Sequence, residues 1–275
     1  MDFRKFFQWI KVVFRAGIPI LHMNNKYYKK FKKNPEKYSV EYRREKINWI
    51  ITRLTSSFNT YYIIEDYEKY EQLKDKCLLT SNHLSDMDPL ILMNCSKRPM
   101  TFVSKKENMD KVVIGNILSA LEAIPLDRDN VMNQINQIKQ IVNEIKNEER
   151  PDVCIYVEGT RNRHPENHCL EFHAGSFKMA YMANSPIVPV VTYGTFRILS
   201  THSWLKRYPV FIKFLDPIYP EDYKNLTTVE LAEKVQKLVD DEVDKMRKRD
   251  YEELKKQKLS RKRFLKETAV DGIKD

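Results

Sequence analysis

Cys77-Leu78-Leu79-Thr80-Ser81-Asn82-His83-Leu84-Ser85-Asp86-Met87-Asp88-Pro89 is a short apolar run that ends abruptly in polar and titratable residues. Residues 77–81 read as a buried strand, and Pro89 opens a helix over 89–93. Strand ends are where α/β folds collect their sites. A histidine there can act as a neutral base near physiological pH. Asp88, five residues on, can turn back to hold the imidazole in one tautomer, the logic of a catalytic dyad. The same letters allow a structural reading. Asp before Pro is a good N-cap with proline at the first helical position, and His83 is then an ordinary strand-end residue. These residues alone leave both readings open.

A second apolar run, residues 153–157, also reads as a buried strand, and Glu158-Gly159-Thr160-Arg161 follows it directly. Gly159 permits a tight turn and close backbone approach. Arg161 offers a planar fork for a phosphate; the alternative is a surface ion pair on a turn. Further strands are predicted at 61–64, 101–103, 187–193 and 209–215. Helices are predicted at 40–58, at 131–145 with Asp129 or Asn130 as cap and Pro151 as stop, and at 174–183. Thr227-Thr228-Val229-Glu230 has capping-box spacing and starts a long charged helix running past Lys245. Strands alternating with helices predict an α/β fold with a mixed central β-sheet flanked by helices.

The glycines exclude several chemistries. Gly17, Gly115, Gly159, Gly175, Gly194 and Gly272 are the only six. No two are spaced for a dinucleotide fingerprint, a P-loop or a nucleophile elbow. No H-E-x-x-H or C-x-x-C signature appears. His164, His168 and His173 lie in a polar loop without acidic or thiolate partners at metal spacing, so they read as solvated and no metal site is predicted. Four cysteines without a paired spacing, in a chain of this length, read as reduced thiols in a cytosolic setting, with Cys154 in the core.

The formal net charge of +10 is local. Residues 1–60 hold 14 Lys and Arg against 4 Asp and Glu, whereas the rest of the chain holds 34 of each. A basic segment beside a neutral body calls for an anionic partner, nucleic acid or anionic lipid. Phe3, Phe6, Phe7, Trp9, Ile10, Val12, Val13, Phe14, Ile18, Ile20 and Leu21 crowd the start of this segment. Arg4, Lys5, Lys11 and Arg15 interrupt it, so it falls short of the roughly 20 uncharged residues a membrane span needs. No small-residue cleavage site follows. An interfacial helix fits this pattern, its apolar side chains in lipid and its Lys and Arg on phosphates. Lys26, Lys29, Lys30, Lys32 and Lys33 follow at once. Aromatics can stack on bases, but no recognisable RNA- or DNA-binding motif is present, so nucleic acid is not the expected partner. The predicted organisation is a basic helical membrane-associating region over 1–60 and an α/β domain over 61–275.

The pieces gain force in order. Asn82, His83, Ser85 and Asp88 match N-H-x-S-x-x-D. Glu158 to Arg161 match E-G-T-R, and Val188-Pro189-Val190 match V-P-V. Leu126-Asp127-Arg128 sits where an arginine-containing motif belongs. Across roughly residues 60 to 220 the chain resembles the glycerolipid acyltransferase family, whose best-known members are the 1-acylglycerol-3-phosphate acyltransferases. It departs in two places. Tyr156-Val157 stand where the family usually has Phe-Pro, and Glu122-Ala123-Ile124-Pro125 replace a glycine-bearing lead-in to Arg128.

The resemblance implies transfer of a fatty acyl chain from acyl-CoA or acyl-carrier protein to the free hydroxyl of 1-acylglycerol 3-phosphate, giving phosphatidic acid. His83 is then the general base and Asp88 its orienting partner. Arg128 and Arg161 hold the acceptor phosphate, Glu158 positions the glycerol end, and Gly159 and Thr160 complete the binding turn. No metal or organic cofactor is implied. The implied partners are a lysophospholipid acceptor, an acyl donor and an anionic membrane surface, on the cytoplasmic face and peripheral or monotopic. The alternatives are another lysophospholipid or glycerol 3-phosphate as acceptor, or a non-catalytic membrane-binding module.

Overall fold

The computed structural model describes residues 3–126, 131–147, 151–199 and 207–260. Seven strands form one mixed sheet in the order β1-β7-β6-β2-β5-β3-β4. They are β1 (Thr60–Glu65), β2 (Leu78–Ser81), β3 (Met100–Lys105), β4 (Ile124–Leu126), β5 (Asp152–Tyr156), β6 (Ile187–Tyr193) and β7 (Tyr208–Phe214). Helices flank the sheet, as the alternation of strand and helix patterns predicts. By compactness the chain divides into one unit of Met1–Phe58 with Met93–Cys154, and another of Asn59–Leu92 with Ile155–Asp275.

In the first unit the N-terminal segment is helical throughout residues 3–33, with π turns at Val13–Gly17 and Asn24–Tyr28. The first π turn has a local cause. Pro19 has no N–H to give the carbonyl of Arg15 four residues back, and its ring crowds that carbonyl. The carbonyl finds another donor: Arg53 Nε, on the helix Val40–Ser57, lies 2.8 Å from Arg15 O. Tyr28 and Phe31 are fully buried, and the Tyr28 hydroxyl donates to the Lys46 carbonyl at 3.1 Å. Ser39 caps the second helix by accepting the Tyr42 N–H. Two of that helix's cations are buried. Arg43 donates to the Ala120 carbonyl at 2.9 Å and to Glu122 at 2.5 Å, and Arg44 reaches the Met100 carbonyl at 3.3 Å.

Two elements of this unit had no forecast. The helix Val112–Ala120 is rich in β-branched residues, which favour strands by propensity. Gly115 explains how it fits. A Cβ there would stand 2.0 Å from the Met109 carbonyl oxygen, so only glycine lets the chain approach this closely. The three-residue strand β4 is too short to show periodicity. The predicted helix at 131–145 is present as Val131–Lys146, while its cap candidates Asp129 and Asn130 lie outside the described residues.

The second unit carries β1, β7, β6 and β2. β1 runs parallel to β7, β7 antiparallel to β6, and β6 parallel to β2 with Leu78 opposite Ile187. All seven residues of β6 are buried, the apolar run Ile187–Val191 leading into Thr192 and Tyr193. The helix Thr228–Lys255 starts at the expected capping box: Thr227 Oγ1 accepts the Glu230 N–H at 3.2 Å, and Glu230 Oε2 accepts the Thr227 N–H at 2.7 Å. Leu231, Val235, Val239, Val243 and Met246 make its buried stripe. Asp250 binds Arg197 through two hydrogen bonds of 2.9 and 2.7 Å with both side chains buried.

Candidate active site

The site is built where β2 and β5 end. Asn82 continues β2 with its side chain in place of backbone. Its Nδ2 donates to the Thr192 carbonyl and its Oδ1 accepts the Thr192 N–H, both at 2.9 Å. This two-bond pairing mimics a strand rung and fixes where the chain leaves the sheet. His83 is the next residue.

His83 is held at four points. Its backbone N–H donates to Glu158 Oε1 at 2.6 Å, and its carbonyl accepts the Asn162 N–H at 2.7 Å. The turn carrying Glu158 to Arg161 therefore clamps the His83 main chain from both ends. The ring is fixed separately. Nδ1 lies 2.8 Å from Asp88 Oδ2, and the imidazole stacks on Tyr156 with ring centroids 4.3 Å apart and planes 26° apart. With Nδ1 engaged, Nε2 is the nitrogen left for proton transfer.

The open question about Asp88 has a definite geometric answer. Its carboxylate does not cap the helix Asp88–Cys95 from the front. It points back along the chain: Oδ2 accepts the N–H groups of Leu84 at 2.7 Å and Ser85 at 2.8 Å, together with the imidazole. Asp88 is 1% exposed. Three donors on one oxygen fix the carboxylate as tightly as they fix the loop. Ser85 supports the same turn by accepting the Met87 N–H on its hydroxyl at 3.2 Å.

Glu158 is buried and has both oxygens occupied, Oε1 by the His83 amide and Oε2 by the Leu170 amide at 2.8 Å. Burial pushes its carboxyl up to about 7, against the opposing pull of the two amides. Gly159 sits at φ +65°, the left-handed region its turn requires. Thr160 is exposed on the turn. Arg161 is half-exposed, and its Nη1 donates to Asp86 Oδ2. Arg128 lies outside the described residues. The structure thus brings together His83, Asp88, Glu158, Gly159, Thr160 and Arg161. Among the described residues, no group of three or more His, Cys, Asp or Glu side chains is arranged to hold a metal.

Several supporting residues had no forecast. Tyr156 was visible only as a departure from Phe-Pro, and its ring is the surface on which the imidazole stacks. Asn162, one residue past E-G-T-R, is buried; its Nδ2 donates to the His168 carbonyl and its Oδ1 accepts the His164 N–H. The long helix Thr228–Lys255 holds the following loop. Gln236 accepts the Phe172 N–H, Asp240 accepts the Cys169 N–H, and Arg247 donates to the Asn167 carbonyl. Such long-range contacts leave no local pattern.

Comparison with known proteins bears on the family and the fold. Residues 62–193 match the acyltransferase family model. The chain is 26% identical over 220 residues to a Mycoplasma pneumoniae protein named "Probable 1-acyl-sn-glycerol-3-phosphate acyltransferase", covering 75% of this chain and 80% of that one. It is 29% identical over 154 residues to the 1-acyl-sn-glycerol-3-phosphate acyltransferase of Limnanthes douglasii, covering 56% of this chain and 54% of the relative. In fold it is similar to the crystal structure of the 1-acyl-sn-glycerophosphate (LPA) acyltransferase PlsC from Thermotoga maritima. The TM-score is 0.70 at 18% identity, over 88% of this chain and 97% of that one.

Proposed function

We infer that this chain, which belongs to the acyltransferase family, moves a fatty acyl group from a thioester donor to the free hydroxyl of 1-acylglycerol 3-phosphate, giving phosphatidic acid. The observation that carries the reading is the His83–Asp88 pair, 2.8 Å apart, seated against the E-G-T-R turn. His83 Nε2 takes the proton of the acceptor hydroxyl. The freed oxygen attacks the thioester carbonyl carbon, the new C–O bond forms, and the C–S bond breaks. The proton then passes from His83 to the departing thiolate. No acyl-enzyme forms. The donor is acyl-CoA or acyl-carrier protein, and the scheme uses no metal or organic cofactor.

Asp88 stabilises the imidazolium that exists between the two proton transfers. Arg161 and Arg128 take the acceptor phosphate. Anchoring that phosphate keeps the hydroxyl beside the base, so positioning supplies much of the rate. The resemblance gives Glu158 a place against the glycerol end. With both its oxygens on backbone amides, we assign it to holding the His83 peptide, through which it positions the base relative to the glycerol.

The N-terminal helical segment is the proposed membrane contact. Phe3 (76% exposed), Phe7, Phe14 (66%), Ile18 and Leu21 leave a large apolar surface in solvent, and such surfaces mark interaction sites. No described helix is long and apolar enough to cross a membrane. A helix lying in the interface of an anionic leaflet, on the cytoplasmic face, fits the apolar surface and the basic residues behind it.

The test is transfer of labelled acyl chains from acyl-CoA and from acyl-carrier protein onto lysophosphatidate in vesicles, wild type beside His83→Ala. Product with wild type alone is the expected result. Near-normal turnover by a folded His83→Ala protein refutes the mechanism.

A further inference from the structure

We propose that Asp86 is an internal competitor for Arg161, a carboxylate latch that the acceptor phosphate displaces on binding and that recloses as product leaves. The inference rests on the reading of Arg161 as a phosphate ligand. Asp86 occupies one of the unspecified positions of N-H-x-S-x-x-D, three residues after His83 and two before Asp88. Its carboxylate accepts a hydrogen bond from Arg161 Nη1, so in the free protein this guanidinium already holds an oxyanion. The two side chains rise from rigid footings. On one side, the Met87 N–H is on the Ser85 hydroxyl, the Asp88 N–H on the Ser85 carbonyl, and Asp88 holds the Leu84 and Ser85 amides. On the other, the buried Asn162 is tied by its N–H to the His83 carbonyl. The side-chain tips are free of such restraint: Asp86 is 66% exposed and Arg161 34%. A solvent-exposed ion pair is weak enough to exchange partners readily.

The carboxylate stands in for a phosphate oxygen in charge and in acceptor geometry. It spares Arg161 from holding any passing anion and lowers the affinity for acceptor and product alike, because both carry the same phosphomonoester. That shared effect separates a latch from a structural role.

The experiment measures acceptor KM, kcat and inhibition by phosphatidate in vesicles of fixed lipid composition, for wild type, Asp86→Asn, Asp86→Glu and Arg161→Ala. In Asp86→Asn the acceptor KM and the product inhibition constant both fall, by the same factor of about two to five, the worth of an exposed pair. Asp86→Glu restores wild-type values, and placing Asp86→Asn on Arg161→Ala removes the effect. An unchanged KM in Asp86→Asn, with a raised KM in Arg161→Ala, overturns the latch and leaves the phosphate reading standing. An unchanged KM in Arg161→Ala overturns both.

Discussion

Replacing Asp88 by Asn isolates the charge in the proposed dyad while keeping its shape. Asp88 Oδ2 lies 2.8 Å from His83 Nδ1. When His83 holds the acceptor's proton it is an imidazolium facing this carboxylate. With charge centres roughly 4 Å apart and an effective dielectric constant of about 20, their attraction is about 4 kcal/mol. At 1.36 kcal/mol per decade, removing it lowers kcat by about a thousandfold. The fold suffers less. An amide oxygen placed where Oδ2 sits still accepts the Leu84 and Ser85 amides. Each bond drops from charge-assisted to neutral, a loss of about 1 kcal/mol apiece, and relief from burying a carboxylate offsets part of it. Asp88→Ala differs, because it strands two buried amides and the imidazole; at about 1–3 kcal/mol for each unsatisfied group it destabilises measurably. The assay pairs initial rates of acyl transfer at saturating acceptor with thermal unfolding by circular dichroism. An Asn variant that melts within a few degrees of wild type and retains kcat within tenfold refutes the electrostatic role.

Three further outcomes follow from other parts of the molecule. Burial lifts the Glu158 carboxyl from 4.5 to about 7, so the folded state holds this proton more tightly than the unfolded chain does. Its contribution is full below pH 4.5 and is lost as pH rises to 7, roughly 3 kcal/mol in all; denaturant titrations across that window should show a shallower decline for Glu158→Gln, and identical slopes would count against the shift. Asp250→Ala leaves the Arg197 guanidinium buried without its carboxylate, which costs about 3–5 kcal/mol, and a midpoint unchanged in urea would show the pair to be dispensable. Exchanging Phe3, Phe7 and Phe14 for Ser should abolish flotation with anionic vesicles, each ring contributing roughly 1–2 kcal/mol of interfacial burial, while undiminished flotation would place the membrane contact elsewhere.

The sequence announced elements wherever one stretch of chain carried its own signal. The run 153–157 reads as a buried strand because both faces of β5 need apolar side chains. The long helix was legible because Thr227 and Glu230 satisfy each other's amides locally. Signals that depend on remote partners stayed silent. Nothing near Pro19 says that Arg53 will take up the Arg15 carbonyl. The sequence 112–120, with its valines and isoleucines, carries a strand propensity that tertiary packing overrides. At the site, residue types and order named His83, Asp88 and the E-G-T-R turn, but not which way a carboxylate points. Asp before Pro does not say whether the carboxylate faces the helix or the loop before it, and Oδ2 faces backwards onto the Leu84 and Ser85 amides and the imidazole. Arg161 likewise reads as a phosphate fork, and its engagement with Asp86 depends on bringing together side chains 75 residues apart.

The placement of Glu158 changes what the E-G-T-R turn must accomplish. Its glutamate and the asparagine one residue past the motif hold the two ends of the His83 peptide, while Asp88 and Tyr156 hold the ring. Backbone and ring are therefore restrained by different segments, and neither set alone fixes Nε2 in space. Positioning to within a fraction of an ångström is what converts a histidine into an efficient base. The restraint reaches further. Glu158 keeps its orientation only while its second oxygen has the Leu170 amide. Leu170 lies in a segment whose amides at Cys169 and Phe172 end on Asp240 and Gln236 of the helix Thr228–Lys255. That charged helix, remote in sequence from every motif, thus belongs to the support of the proposed base. Removing the acceptor on Asp240 loosens Leu170, then Glu158, then the His83 peptide, so its cost should appear in kcat ahead of acceptor KM.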